Sequence, residues 1–331
     1  MNVLWLRPDK PDNVSVGRHR IADILRDRGH DVNVQNASLR SFRTALASDP
    51  DLVVGTTRLG ALVGCWKKLV DGTPLVVDHI DPISQLRRTH SRTNTWLIAR
   101  LESLVFRLAD HVLVVYEEEL DRVRSYNDAV TETALGVDYD SFASPSAEAI
   151  EFAREVIAEE GDEHRPTLVY VGGLEPVYNL DTIVDAMPLL DEWQLLVLGD
   201  GSQRERIEAA AASDDRIVYP GTVPYEYVPG FLHESDVGIC LVNDPNTLKL
   251  LEYGAARLPA VSVEGKAEDR YGGLVTFCSL APEDVARAVE ESYESAPIER
   301  FQEYTKRFGW TAIAEEYESV FESVAGDGTS Q

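Results

Sequence analysis

TLVYVGG (167–173) and LLVLGDG (195–201) decide the fold. Each is a short run of Leu, Val and Tyr that closes on glycines, and a helix-compatible segment over 180–190 separates them. Continuous apolar runs of this length, punctuated by Gly and followed by helical spacing, predict strands buried on both faces of a parallel sheet. Downstream, a helix over 203–212, RIVYPG (216–221) and DVGICLV (236–242) extend the series. Upstream, VLWL (3–6) leads through a loop to Gly17, then a helix through Ile21, Ile24 and Leu25 that stops at Gly29, and a strand at 32–34. Further strand-like runs at 52–54, 75–77 and 112–115 make the first half a second wound sheet. The pattern lapses around 140–166, so the expected divisions are a domain over 1–145, a linker over 146–166, a domain over 167–305 and a C-terminal helix and tail over 306–331. The expected fold class is α/β, with two Rossmann-like doubly wound parallel-sheet domains. Ligands of such sheets bind beyond the carboxyl ends of the strands, which places the expected site in a cleft between two facing halves.

Across 331 residues, 31 Lys+Arg stand against 57 Asp+Glu, a net charge of −26. The imbalance is uneven: 18 basic and 21 acidic residues up to position 150, against 13 and 36 beyond it. Many carboxylates with only six lysines suit a very salty cytoplasm, where screening makes self-repulsion tolerable, so a halophilic source is expected. So acidic a chain is a poor nucleic-acid binder. No run of about 18 apolar residues occurs and MNVLWLRPDK lacks the order of a signal peptide, so a cytosolic protein is expected. Cys65, Cys240 and Cys278 are odd in number and widely spaced, and read as buried thiols.

Five segments in order, VYVGGLEPVYNLDTIVDA (169–186), LLVLGDGSQRERIE (195–208), RIVYPGTVPYEYVPGFLHESDVGICLV (216–242), KLLEYGAARLPAVS (249–262) and FGWTAIAEEYESVF (308–321), resemble the retaining glycosyltransferases of the glycogen-synthase-like superfamily (family 4, group 1 type), whose two domains form the GT-B fold. GHDVNV, RLESLVFRLADHVLVVY (100–116) and LGVDYDSF (135–142) resemble that family's acceptor domain more loosely. The resemblance implies transfer of a sugar from a UDP- or GDP-sugar to a hydroxyl, with the nucleotide-sugar as substrate and no cofactor.

Lys249 and Glu252, three apart at a helix start that Asn246 or Thr247 could cap, share one face. A helix N-terminus with a lysine suits a diphosphate, flanked by Leu248 and Leu250. By resemblance, Glu252 holds the nucleotide ribose. Eight residues before it, where the family often has a Glu contacting the donor sugar, stands Asp244, read equally as a sugar contact or as a turn aspartate. Relatives also carry an Arg after the glycine of the loop following the first strand and a Lys five residues on; here these are Gly173 and Tyr178. The loop could meet phosphate through amides at Gly172 and Gly173. Gly199-Asp200-Gly201 forms a nucleotide-facing turn, and Val223 lies where relatives hold the base by main-chain groups. Gly17 is a second phosphate-loop candidate, with Val16 where relatives have another glycine. DHIDP (78–82) offers His79 and Asp81 as catalytic candidates beside Lys249 and Asp244; aligning the family's His-Asp pair on Asp81 puts Ile80 at the His position, so either His79 reaches the site by a shifted loop or Asp78 and Asp81 do the polar work. No metal site is expected, and the D-x-D strings at 49–51 and 138–140 read as loops.

Residues 84–108 hold Arg87, Arg88, Arg92, Arg100 and Arg107 with one acid, Glu102, and Trp96, Leu97, Leu101, Leu104 and Leu108 at helical spacing. This island reads either as a core helix with solvated arginines or as a contact, through Arg87, Arg88, Arg92 and Trp96, for an anionic membrane or a polyprenyl-phosphate-linked acceptor at the inner face of the membrane. Two other functions compete: a sugar-nucleotide epimerase of the same fold, and a non-catalytic nucleotide-sugar-binding subunit, the latter motivated by the missing Arg and Lys. A nicotinamide dehydrogenase is disfavoured because no G-x-G-x-x-G follows either first strand.

Overall fold

A computed structural model describes residues 1–7, 12–38, 40–84 and 91–328; the side chains of 12–16, 46, 92, 327 and 328 lie outside that description. Its described strands form two parallel sheets of six. In the first, β1 (Asn2–Arg7), β2 (Asp31–Asn36), β3 (Leu52–Thr56), β4 (Leu75–His79), β5 (His111–Val114) and β6 (Val130–Glu132) run in the order β2-β1-β3-β4-β5-β6. In the second, β7 (Thr167–Val171), β8 (Gln194–Leu198), β9 (Ile217–Gly221), β10 (Val237–Cys240), β11 (Ala260–Val263) and β12 (Thr276–Cys278) run in the order β12-β11-β10-β7-β8-β9. β3, β4 and β8 are buried along their whole length. That is why they read as unbroken apolar runs rather than as alternation.

The chain divides into one unit of residues 1–136 and 310–331 and a second of 137–309. Residues 146–166 contribute the helix Ala147–Glu160, capped by Ser146 Oγ and buried at Ala149, Ala153 and Ile157 within the second unit. The terminal helix Trp310–Gly328 belongs to the first unit. Ile313, Ala314, Tyr317, Val320, Phe321 and Val324 make a helical stripe that packs with Trp5, Ile21 and Leu25. Trp5 stacks on Tyr317 at 5.7 Å and meets Phe321 edge-on at 5.9 Å.

Gly17 stands within the helix Asp12–Asp27, not in a loop before it. A Cβ there would come within 2.5 Å of the Trp310 ring, so the glycine serves helix packing. Cys65, Cys240 and Cys278 are free and buried. Among the described residues no helix is long and apolar enough to cross a membrane.

Candidate functional site

The second sheet reverses direction of winding between β7 and β10, which are hydrogen-bonded neighbours. The loops after these two strands therefore open side by side at the topological switch point, where doubly wound sheets bind ligands. After β7 comes Gly172, at φ +134, and after β10 comes the helix Leu248–Ala255. Lys249 lies over Gly172: a Cβ on that glycine would fall 2.6 Å from the lysine Cε and 2.7 Å from its Nζ. The same Nζ sits 4.0 Å above the Tyr178 ring centroid and 5.5 Å from that of Tyr170. Tyr178, at the place where relatives carry a second cation, thus forms an aromatic platform for the lysine this chain retains.

The platform has its own support. Asn179 follows it in the left-handed region at φ 52, a conformation asparagine tolerates. Asn179 Nδ2 donates to the Leu241 carbonyl at 2.7 Å, tying the β7 loop to the end of β10. Glycines at 199 and 201 follow from backbone meeting backbone. A Cβ on Gly199, at φ +140, would stand 1.9 Å from the Gly172 oxygen, and one on Gly201 would stand 2.6 Å from that of Leu174. Gly172 donates to Leu198 and Leu174 to Asp200, each at 2.9 Å, so the two glycine loops are laced together. A Cβ on Gly173 would meet only ordinary contacts, Tyr178 Cε2 the nearest at 3.8 Å. The Asp200 carboxylate accepts from the Gly201 amide at 2.8 Å, closing its own turn.

Glu252, one helical turn beyond Lys249, is buried, and its Oε1 accepts from the Tyr225 hydroxyl at 3.0 Å. Burial raises its pKa above the ordinary carboxylate value, against the opposing pull of Tyr225 and of the Lys249 charge. A buried carboxylate with one neutral donor has unused acceptor capacity. Tyr225 was not singled out from the sequence; its only signal is an aromatic in TVPYEYV just after β9, close to the partly buried Val223. Leu248 is exposed and Leu250 fully buried. Asp244 Oδ1 accepts from the Asn246 amide at 2.9 Å, so its carboxylate shapes the loop before the helix. Arg270, also missed, clamps that loop through the Pro245 carbonyl at 2.9 Å and Asn246 Oδ1 at 2.8 Å.

In the first unit, β4 ends on two buried residues with separate partners. Asp78 accepts from Arg18 Nε and Nη2 at 2.9 and 2.8 Å, from Thr56 Oγ1 at 2.7 Å and from the Tyr317 hydroxyl at 2.8 Å. Burial alone would raise its pKa, but the Arg18 charge and these hydrogen bonds hold it below the ordinary value. His79 Nε2 lies 3.0 Å from Glu119 Oε2, and its ring meets Phe106 edge-on at 5.1 Å. Glu119 is drawn down to about 2: burial raises it, and the contacts from His79, the Ile83 amide and Arg122 more than reverse that. His79 is thereby committed to a buried ion cluster. Asp81 Oδ2 lies 3.7 Å from Arg58 Nη1, and Arg58 Nε in turn pairs with Glu102 at 2.7 Å. Arg87, Arg88 and the Arg92 side chain lie outside the described residues; Trp96 is on the helix Arg92–Leu108, stacked with Arg100 at 5.2 Å.

Residues 165–295 match the family described as glycosyl transferases group 1, and residues 35–133 match the glycosyl transferase 4-like domain. The first match lies within the second unit and the second within the first. Among solved structures, HepE of Anabaena in complex with UDP superposes with a TM-score of 0.75 at 15% identity, over 98% of this chain and all of that one. Its complex with UDP-glucose gives 0.66 at 16%, over the whole of both chains. Sucrose-phosphate synthase of Thermosynechococcus elongatus gives 0.72 at 15%, over 99% and 100%. At such identities the likeness establishes the GT-B fold. No curated protein matches the sequence.

Proposed function

We propose that this glycosyltransferase moves a sugar from a nucleotide-sugar to a hydroxyl acceptor with retention of configuration. The observation that carries the reading is the helix turn at the switch point of the second sheet that lays Lys249 over Gly172 and buries Glu252 one turn further on. Glu252 accepts from the ribose hydroxyls, and Lys249 with the amides of the helix start compensates the diphosphate. As the bond from the anomeric carbon to the phosphate oxygen breaks, negative charge grows on the leaving diphosphate, and Lys249 stabilises it. The acceptor oxygen bonds the same face of the sugar, and its proton passes to the departing phosphate oxygen, so no enzymic nucleophile takes part. Gly199, Asp200 and Gly201 keep the neighbouring loop close enough for its backbone to line the nucleotide.

A uridine donor is supported by the HepE complexes with UDP and UDP-glucose. For the acceptor we take a lipid-linked or surface glycan, on the strength of the basic segment in the first unit. Incubation with a panel of UDP- and GDP-sugars, with and without membrane lipid extract, followed by mass spectrometry, tests the reading. One donor should give a glycosylated product that depends on acceptor and is lost in Lys249→Met. Interconversion of donors without acceptor would instead establish an epimerase, and binding without any turnover a non-catalytic subunit.

A further inference from the structure

The helix that carries Lys249 and Glu252 has no cap of its own. Thr247 stands at its N-cap without a side-chain hydrogen bond to the first turn, and the Thr247 hydroxyl lies instead 3.7 Å from Cys240 Sγ. Where such a helix begins is set by whatever grips the loop before it, because no capping side chain fixes the first turn. That loop, residues 243–247, is held from the segment that follows β11, the neighbour of β10 on the side away from β7. The Lys266 amide donates to Asn243 Oδ1 at 2.8 Å, and Gly265, at φ +133, leaves the room this needs, since a Cβ there would stand 2.8 Å from the end of the Asn243 side chain. Arg270, on the short helix Glu268–Tyr271, supplies the second grip. Its Nη1 donates to the Pro245 carbonyl and to Asn246 Oδ1, on the two residues that lead into Thr247 and the helix.

The guanidinium is itself seated. Its Cζ lies 4.7 Å from the Phe308 ring centroid and 5.4 Å from that of Tyr271, and its Nε donates to the Tyr304 hydroxyl at 3.3 Å. These rings pack in turn, Tyr271 edge-on to Tyr304 at 5.6 Å and Tyr304 against Phe308 at 5.2 Å. Elsewhere arginines such as Arg154, Arg216 and Arg257 meet a carboxylate, whereas among the described residues the acceptors of Arg270 are all neutral. A guanidinium fork held by aromatic faces and spent on a carbonyl and an amide oxygen orders the loop it touches rather than balancing an acid. We propose that Arg270 is a positioning residue for the donor's diphosphate: it fixes the loop that sets the start of the helix Leu248–Ala255, so that Lys249 and the first amides meet the phosphates in register. This role rests on the donor-site reading above. Glu252 lies one turn further along, buried and hydrogen-bonded to Tyr225, so the ribose contact does not depend on the grip. Loss of Arg270 therefore falls on phosphate binding and spares the nucleoside.

Calorimetry of the full chain with UDP and uridine, and with GDP and guanosine, compares wild type with Arg270→Gln, Arg270→Lys and Asn246→Ala. Arg270→Gln should raise the Kd of the bound diphosphate about tenfold, the worth of one misplaced charge-assisted hydrogen bond, while the Kd of its nucleoside changes by less than about twofold. Arg270→Lys keeps a cation among the rings but not the fork, so its diphosphate affinity should fall between those of Arg270→Gln and wild type. Asn246→Ala removes one acceptor of the grip and leaves the backbone bond to Asp244 in place, and should weaken the diphosphate by about threefold. Combined with Arg270→Gln it should add nothing, because both substitutions act on one contact. If Arg270→Gln lowers the thermal midpoint, the comparison of diphosphate with nucleoside in Asn246→Ala decides alone. Unchanged diphosphate affinity in the variants, or an equal loss of diphosphate and nucleoside, overturns the positioning role and leaves the donor-site reading standing. A wild type that binds neither diphosphate overturns that reading and the positioning role with it.

Discussion

Asp78→Asn should cost the first unit about 3–5 kcal/mol of stability. Asp78 has no exposed surface and accepts four hydrogen bonds, two from Arg18 and one each from Thr56 and Tyr317. Thr56 in turn accepts from Trp5 Nε1 at 2.8 Å, so the donors already converge from three other elements. Asparagine keeps the shape but turns one acceptor into an amide donor, and since Arg18 donates to both carboxylate oxygens, that amide must face a guanidinium N–H whichever way it is flipped. The Arg18 guanidinium is then left buried without its counter-charge, the situation for which removal of one partner costs about 3–5 kcal/mol. Tyr317→Phe deletes the hydrogen bond donated to Asp78 and the one accepted from Arg18 Nη2 at 3.2 Å, and should cost about 1.5–3 kcal/mol. The pH dependence carries a definite sign. Because Asp78 titrates below its unfolded value, its contribution is complete above the ordinary carboxylate range and is lost as pH falls through its depressed value. The gap between wild type and Asp78→Asn, measured by urea unfolding, should therefore be constant around neutrality and narrow in acid. A loss below about 1 kcal/mol, or a gap that widens in acid, would refute the reasoning.

Tyr178→Ala removes the ring beneath Lys249 and should weaken nucleoside diphosphate binding by about 0.5–2 kcal/mol, while Tyr178→Phe, which keeps the aromatic face, should bind as wild type. Calorimetry on both variants checks this, and equal affinities for Ala and Phe would remove the platform role. Thermal unfolding should shift upward as KCl rises from about 0.1 to 2 M, because a net charge of −26 is screened as the Debye length falls from roughly 10 Å to about 2 Å. A flat response would end the halophile reading.

The inner strands were legible because burial on both faces of a parallel sheet demands continuous Val, Ile and Leu, as in LVV at 75–77 and LLVL at 195–198. β6 and β12 were not, since three-residue edge strands such as Val130–Glu132 and Thr276–Cys278 carry too little apolar surface to stand out. The approach of Lys249 and Glu252 was readable from helix spacing, a local property. Gly17 was misread as a loop glycine because its reason, the Trp310 ring, lies at the far end of the chain. The Asp78 cluster was equally hidden: its partners Arg18 and Tyr317 are 60 and 239 residues away, and no local pattern encodes such pairing. Tyr178 was seen only as a missing cation; its role against Lys249 needed the geometry of two loops that the sheet order brings together.

Titration calorimetry of UDP and GDP against wild type and Glu252→Gln tests the donor-site assignment most directly. Glu252 is buried with Tyr225 as its hydrogen-bond donor, and burial already raises its pKa, so the glutamine variant should fold at least as well as wild type at neutral pH. Its weaker acceptor should cost about 1.5–3 kcal/mol of nucleotide affinity, roughly a tenfold to hundredfold rise in Kd. Wild type should bind one of the two nucleotides with the variant weakened by that factor; binding to neither, or equal Kd values in the two proteins, would contradict the account.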